Sequence, residues 1–536
     1  MKKLLSSFIL AAAALTAQAT DYVTTLDINA GSGSKKYPNS TVQVLPNGDG
    51  TCTVTIKNVK YEYYMQEQPV GNIVIENVPM TNAGVYTILR SVQDIEIAEG
   101  DDTDISWQGP GYTALNGGKL QAYFNGEIRG GKFYGNLIID TFKAIRRSLK
   151  LTLGDEDYTI GQIPNSGFEK FHTATAGSAT SQEPNAWHSF MTATGTLAAM
   201  VKSAVHTEES NETRPGTTGK KSVLITTGKA ILGQIPNGTI TTGQMNAGAA
   251  SAADAANHAF LDFSNESLDA NGDPFYATVD AKPDAISVWV KFQQGGGDLA
   301  KDYPYATISA VITDGTKYQD PEAVGTDYYN VVAKAQNKTI ESKDEWQKIT
   351  IPFDYDTYVA NGADPNAILV TISTNATPGK GSADDKLYVD DVELEYSSQL
   401  SSIKIDGQEI NGFEPGTYYY SKVPASKKMT VDMIEVTAGA GATVTKKVER
   451  SSTDPKASTA TITVVSADSK NITRYTVDIK EGKVTNGIST VETKMDQNIH
   501  ATKIYTVSGQ QVSKMQSGNV YVVKTADGKM VKVVKK

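Results

Sequence analysis

The stretch KLYVDDVELEY, residues 386–396, sets two adjacent carboxylates in a run that alternates apolar and polar residues, the pattern of a β-strand. Alternation predicts Tyr388, Asp390, Val392 and Leu394 on one face, and Leu387, Val389, Asp391, Glu393 and Glu395 on the other. Both glutamates fall in the second set, so the first reads as the core face and Asp390 is aimed inward. Burying an ionised carboxylate is costly unless something compensates it. The sequence therefore predicts a partner for Asp390: a cation, backbone N–H donors, or a basic side chain such as Lys170.

A second group pairs aromatic rings with polar neighbours. Trp187 and His188 lie in PNAWHSF, Tyr303 and Tyr305 in KDYPYA, and Tyr318 and Asp320 in KYQDPE, with Tyr328 and Tyr329 close behind. Ring faces that stack on a pyranose, with amides and carboxylates fixing its hydroxyls, are the chemistry of sugar recognition. Trp289 alternates with core-type residues and Trp346 opens a strand, so both read as packing, and burial also suits Trp187. Hydrolysis of a glycosidic bond needs two carboxylates about 5–9.5 Å apart. Glu183, Asp262, Asp273, Asp314, Asp320 and Glu322 are available, but no spacing selects a pair, so the catalytic residues are unknown. There is no Gly-x-Ser-x-Gly elbow and no glycine loop leading into a lysine-bearing helix.

These residues sit in a chain of 536 with a formal net charge of −10, long enough for three or four cores and without the electrostatic footprint of a nucleic-acid binder. Its start, MKKLLSSFILAAAALTAQAT, combines two lysines, an apolar run and an Ala-Gln-Ala cleavage pattern, so residues 1–19 read as a secretory signal peptide. The run is shorter than the roughly 20 residues a membrane helix needs, and no later stretch is apolar enough to span. The one cysteine, Cys52, cannot form an internal disulfide. With five histidines and no clustered Cys/His pairs, a transition-metal site is not expected, whereas hard-cation binding through oxygen stays open. The end of the chain is basic: Lys503, Lys514, Lys524, Lys529, Lys532, Lys535 and Lys536 stand against Asp527 alone. Such a tail suits contact with an acidic surface or export machinery, or simply a protected sheet edge.

Short strands punctuated by Gly, Asn, Asp and Pro predict an all-β protein. Residues 20–161, with TVQVL, TCTVTIKNV and GGKFYGNLIIDTF joined by turns such as PNGDG, resemble the calycin-like barrels of secreted Bacteroidetes proteins. A side-chain-filled interior is expected, because the lipocalin Gly-x-Trp signature is missing. Residues 162–397, from NSGFEKF through DAISVWVKF and DEWQKITIPFDY to the acidic strand, resemble a carbohydrate-binding-module-like jelly roll, specifically the putative carbohydrate metabolism domain of gut Bacteroidetes. That resemblance implies that the NSGFE turn lies beside the Asp-Asp-Val strand, and that Glu169 and Asp390 hold a structural calcium ion. Residues 398–481 read as a small immunoglobulin-like sandwich. In residues 482–536, a linker followed by IYTVSGQQV and GNVYVVK resembles a type IX secretion sorting domain, with Asn519 before Val520 and Tyr521 where that family commonly has Gly.

The reading is an exported glycan-binding protein, secreted or held at the outer-membrane surface, with an oligo- or polysaccharide as partner. The alternatives are a glycoside hydrolase acting through the central domain and a structural or adhesive surface protein.

Overall fold

In the computed structural model, residues 18–534 are described except 32, 64, 143–146, 156–157, 204–205, 229–234, 483–500, 507–508 and 526–529. Nearly all of the signal-peptide reading, and part of the basic tail, lie outside the described residues. The fold is all-β, as the sequence predicts. Among the described residues no helix is long and apolar enough to cross a membrane.

The first domain consists of β1 (Thr20–Asn29), β2 (Ser34–Pro46), β3 (Thr51–Tyr63), β4 (Gln66–Asn82), β5 (Tyr86–Ile95), β6 (Ile97–Ala98), helix α1 (Gly109–Leu115), β7 (Leu120–Arg129), β8 (Lys132–Phe142) and β9 (Arg147–Gly154). The order β3-β2-β1-β9-β8-β7-β5-β4 is closed by antiparallel pairing of β3 with β4, which makes an eight-stranded barrel, and β6 pairs with β4. β3 illustrates the alternation: Cys52, Val54 and Ile56 are buried while the threonines between them face out. The PNGDG turn works as read, with Gly48 and Gly50 at φ 85° and 87° and Asp49 Oδ1 accepting the Thr51 N–H at 2.9 Å. Phe124 and Phe133, stacked 6.5 Å apart, join the aliphatic core.

The central domain begins with the hairpin β10 (Phe171–Ala176) and β11 (Ala179–Pro184), followed by β12 (Thr207–Ser210), β13 (Ser222–Thr226), β14 (Thr239–Thr241), β15 (Gln244–Ala247), β16 (Asn257–Leu261) and β17 (Ala277–Thr278). It continues with β18 (Ala285–Gln293), β19 (Ala306–Thr313), β20 (Tyr318–Asp320), β21 (Val331–Ile340), β22 (Gln347–Pro352), β23 (Ala367–Ser373) and β24 (Lys386–Glu395). Two sheets, β12-β13-β24-β18-β22 and β14-β23-β19-β21, pack face to face as a sandwich. In β23, Ile368, Val370 and Ile372 enter the sandwich core, whereas Leu369 joins a second core with Val311, Tyr318, Leu261 and Met245 on the sheet's other side. A small sheet, β15-β16-β20, covers that side.

β24 departs from simple alternation. Its pairing with β18 shifts register between Ser287 and Trp289, and Asp391 adopts φ 43°, so a β-bulge reverses the faces part-way along the strand. Leu387 and Val389 enter the core before the bulge, and Val392 and Leu394 after it. Tyr388 and Asp390 therefore lie on the outer face.

The barrel and the central sandwich, read from sequence as separate domains, belong to one compact unit that runs to Leu400 and takes in Ala438–Val444 and Thr463–Thr473. A polar seam joins them. Arg90 donates to the Asp280 carbonyl at 2.8 Å and to its carboxylate at 3.0 Å, Arg129 donates to Thr278 Oγ1 at 2.8 Å, and the Tyr86 hydroxyl donates to the Asn366 carbonyl at 3.1 Å.

The second unit comprises Ser401–Thr437, Thr445–Ile462 and the described residues from Arg474 onward. Its strands include Tyr419–Ala425, which pairs in parallel with Ile472–Glu481, and a C-terminal four-stranded sheet centred on Ala501–Thr506 and Val520–Thr525.

Candidate functional site

The outer face of β14-β23-β19-β21 carries hydroxyl and amide groups at alternate positions. Thr239, Thr307, Ser309, Gln336, Thr371 and Ser373 form the floor of a cavity of about 350 Å³. Strand pairing places Ser373 opposite both Thr239 and Thr307, and Ser309 opposite both Thr371 and Gln336. The floor is ordered by its own hydrogen bonds: Gln336 Nε2 donates to Ser309 Oγ at 3.0 Å, and Thr239 Oγ1 to Ser373 Oγ at 3.1 Å. Phe190, Leu197, Met200, Val201 and Met245 supply an apolar wall. His258, Asp320 and Lys338 add polar and charged groups, and Asn375 with Gly379 bounds another side.

Asp320 reaches this cavity from the end of β20. Burial raises its pKa above the usual carboxylate value, against the opposing effects of a hydrogen bond with Ser309 and the charges of Lys334 and Lys338. Two residues on, Glu322 accepts from the Tyr318 hydroxyl at 3.2 Å and from Lys334 at 2.6 Å. Among the described residues that line the cavity, Asp320 is the one carboxylate.

Two family models match the chain. Residues 162–395 match the putative carbohydrate metabolism domain. Residues 19–152 match the calycin-like β-barrel domain. No curated protein matches the chain. Among solved structures, one described as a putative glycoside hydrolase from Bacteroides thetaiotaomicron VPI-5482 is 17% identical, with 60% of this chain and 95% of that one covered and a TM-score of 0.30. Another so described, from Bacteroides vulgatus ATCC 8482, is 16% identical, with 43% and 96% covered and a TM-score of 0.28. With TM-scores of this size, neither bears on the chain's fold or activity. The polar cavity lies within residues 162–395, the part of the chain that matches the putative carbohydrate metabolism domain, and that match supports a carbohydrate-related role.

Within this domain the aromatic residues singled out from sequence are dispersed. Trp187 is fully buried, tilted against Phe168 at 5.2 Å, with Nε1 donating to the Pro164 carbonyl at 3.1 Å, so it is a core residue with no face free for a sugar. Tyr318 is likewise core, edge-on to Tyr328 at 5.2 Å. His188 is fully buried beside Phe275 and Asp269. Tyr303 is half-buried, with Lys380 Nζ 5.4 Å above its ring. Tyr305, 38% exposed, lies two residues before Thr307, and its carbonyl accepts the N–H of Ala376, a cavity residue. Of the six, Asp320 alone lines the cavity. The floor residues were missed from sequence; their signal is a pair of hydroxyls two positions apart, Thr307 and Ser309 in TISAVIT and Thr371 and Ser373 in ILVTIS, opposite the apolar set.

The two predicted calcium ligands also have other partners. The NSGFE turn does lie beside β24, with Val392 N donating to the Ser166 carbonyl at 2.9 Å. Glu169, however, is exposed and accepts the N–H groups of Lys220 and Lys221. Asp390 is buried beneath Arg214, whose N–H donates to Asp390 Oδ2 at 3.1 Å and whose guanidinium pairs with Asp391 and lies over Trp289. Burial pushes the Asp390 carboxyl up to about 6, with the Arg214 N–H acting in the opposite direction. Calcium takes six to eight oxygens. Amide donors at both carboxylates and a guanidinium at the same spot do not fit that ion, so Asp390 has the backbone N–H partner allowed by its sequence.

Replacing Trp187 with Ala should lower the unfolding free energy by about 3–5 kcal/mol, because a large core side chain is lost without a substitute. Denaturant titration measures this, and sugar affinity of the folded variant should stay unchanged.

Proposed function

We propose that the carbohydrate metabolism domain binds a short segment of an oligo- or polysaccharide in the cavity above β14-β23-β19-β21. The observation that carries this reading is the combination of a hydroxyl and amide floor with an apolar wall in one concave site. Sugars present hydroxyls around the ring edge and C–H groups on a face, and this lining offers partners for both. Asp320 and Lys338 supply charged hydrogen bonds that orient the ligand. Binding is favoured over hydrolysis because Asp320 has no second carboxylate facing it among the described cavity residues, and both general mechanisms need a pair. Export to the cell surface and contact of the C-terminal sheet with secretion machinery complete the proposal. They rest on the sequence of residues 1–19 and on the resemblance of the tail.

The test is an array of plant and host glycans probed with the intact chain, followed by product analysis on every ligand retained. Retention without released sugar is the expected result. Release of sugar would replace binding with hydrolysis, and an array without any retained glycan would favour the structural role.

A further inference from the structure

The apolar part of the cavity is aliphatic. Leu197, Met200, Val201, Met245, Ala247 and Ala259 line it, and no Trp or Tyr does so among the described residues. Its two aromatic side chains are already in ring contacts: Phe190 lies 5.1 Å from His206, and His258 stands edge-on to Phe260 at 5.9 Å. A pyranose held by stacking needs a broad ring face. A wall of methyl-bearing side chains suits instead a ligand that carries a methyl group of its own, because close contact between apolar atoms is what such a wall supplies.

That wall meets a carboxylate in a fixed arrangement. Met245 pairs with Ala259, and Ala259 with Asp320, across β15-β16-β20. Directly opposed residues of antiparallel strands point to one face, with Cβ atoms about 4.5–5.5 Å apart. Asp320 thus stands half-buried beside two apolar side chains, and beyond its Ser309 hydrogen bond the carboxylate keeps acceptor sites for a donor from the ligand. Neighbouring side-chain amides are already committed to the chain. Asn257 Oδ1 accepts the N–H groups of Gly248 and Ala249 at 3.0 and 3.1 Å, Asn375 Oδ1 accepts that of Thr377 at 2.8 Å, and Asn237 Oδ1 that of Gly381 at 3.1 Å.

We propose that the cavity selects an N-acetylated hexosamine, with the acetamido N–H donated to Asp320 and the methyl group seated against Met245 and Ala259, a choice of sugar that rests on the glycan-binding role proposed for the same cavity. In a trans amide the N–H and the acyl methyl lie on the same side of the planar group, with the carbonyl opposite. That side is complementary to a carboxylate flanked by apolar side chains. Exposed Lys338 and the floor hydroxyls are donors for the carbonyl. A sugar with a hydroxyl in place of the acetamido group offers Asp320 a donor but leaves the apolar strip without a partner. A deoxy sugar such as fucose brings a methyl group but no amide N–H.

The test titrates the intact chain with methyl glycosides of N-acetylglucosamine, N-acetylgalactosamine and N-acetylmannosamine, of glucose, galactose and mannose, and of fucose and rhamnose, with saturation-transfer NMR on each ligand that binds. At least one N-acetyl glycoside should bind at least tenfold tighter than its hydroxyl counterpart, with its acetyl methyl protons receiving the strongest saturation. Asp320→Ala should bring that ratio close to one while circular dichroism stays native. Equal affinities within every pair, a preference for fucose or rhamnose, array retention confined to glycans without an N-acetyl group, or an unchanged ratio in Asp320→Ala would overturn the choice of sugar and leave glycan binding in place. No binding of any of these sugars or of any array glycan would remove both. Should Asp320→Ala fail to fold, the parent's affinity ratio and saturation pattern decide.

Discussion

Asp320→Asn should weaken binding of an array-selected glycan by about tenfold to a hundredfold, the range expected when a charged hydrogen-bond partner worth about 1.5–3 kcal/mol is lost. Asp320 is the cavity's carboxylate, and an amide keeps its size while giving up its charge. Stability should hold or rise, because burial disfavours the ionised form that the substitution removes. The raised pKa adds a second signature. The parent's affinity should change with pH above the range where an ordinary aspartate titrates, and the variant's should be flat there. Isothermal titration across pH, with a melting curve at each point, separates the two effects. Unchanged affinity in a folded Asp320→Asn protein would remove the cavity from the proposed function.

Arg129→Met is expected to cost about 3–5 kcal/mol, the penalty typical of stripping the partner from a buried charge. Glu127, 1% exposed on the outer face of β7, has Arg129 Nε 3.7 Å away and the Tyr158 hydroxyl at 3.4 Å. Arg129 is held in turn over the Tyr158 ring at 3.9 Å and by Thr278 of the central domain. Burial pushes the Glu127 carboxyl up to about 7, and Arg129 opposes that rise. The sign of the pH effect follows from proton counts. Between the unfolded value near 4.5 and the folded value near 7, the folded chain holds the extra proton, so this group's contribution to stability falls as pH rises through that window. Glu127→Gln should flatten the dependence, and Arg129→Met should steepen it by raising the carboxyl further. Denaturant midpoints from pH 4 to 8 measure both. A parent curve that rises from pH 5 to 7 and is unaltered in Glu127→Gln would rule out this role.

The sequence by itself determined the all-β class and the barrel, because those properties are written in local periodicity and hairpin spacing, and it gave the central sandwich through family resemblance. Cys52, Val54 and Ile56 alternate with threonines, and PNGDG supplies the turn that returns the chain. It also placed the NSGFE turn beside β24 through resemblance, and the Val392–Ser166 hydrogen bond joins those segments. Tertiary structure decided the rest, since each functional question turned on residues distant in the chain. The bulge at Asp391 reversed the faces of β24, and the Arg214 segment, some 175 residues earlier, covers Asp390, so burial came without a place in the core. Trp187 and Tyr318 have the residue types of a sugar platform, but packing turned both rings inward. The cavity floor is assembled from four strands whose order, β14-β23-β19-β21, no local pattern reveals. Two of the five histidines pair with carboxylates from a hairpin partner and a distant loop, contacts made by folding rather than by chain proximity.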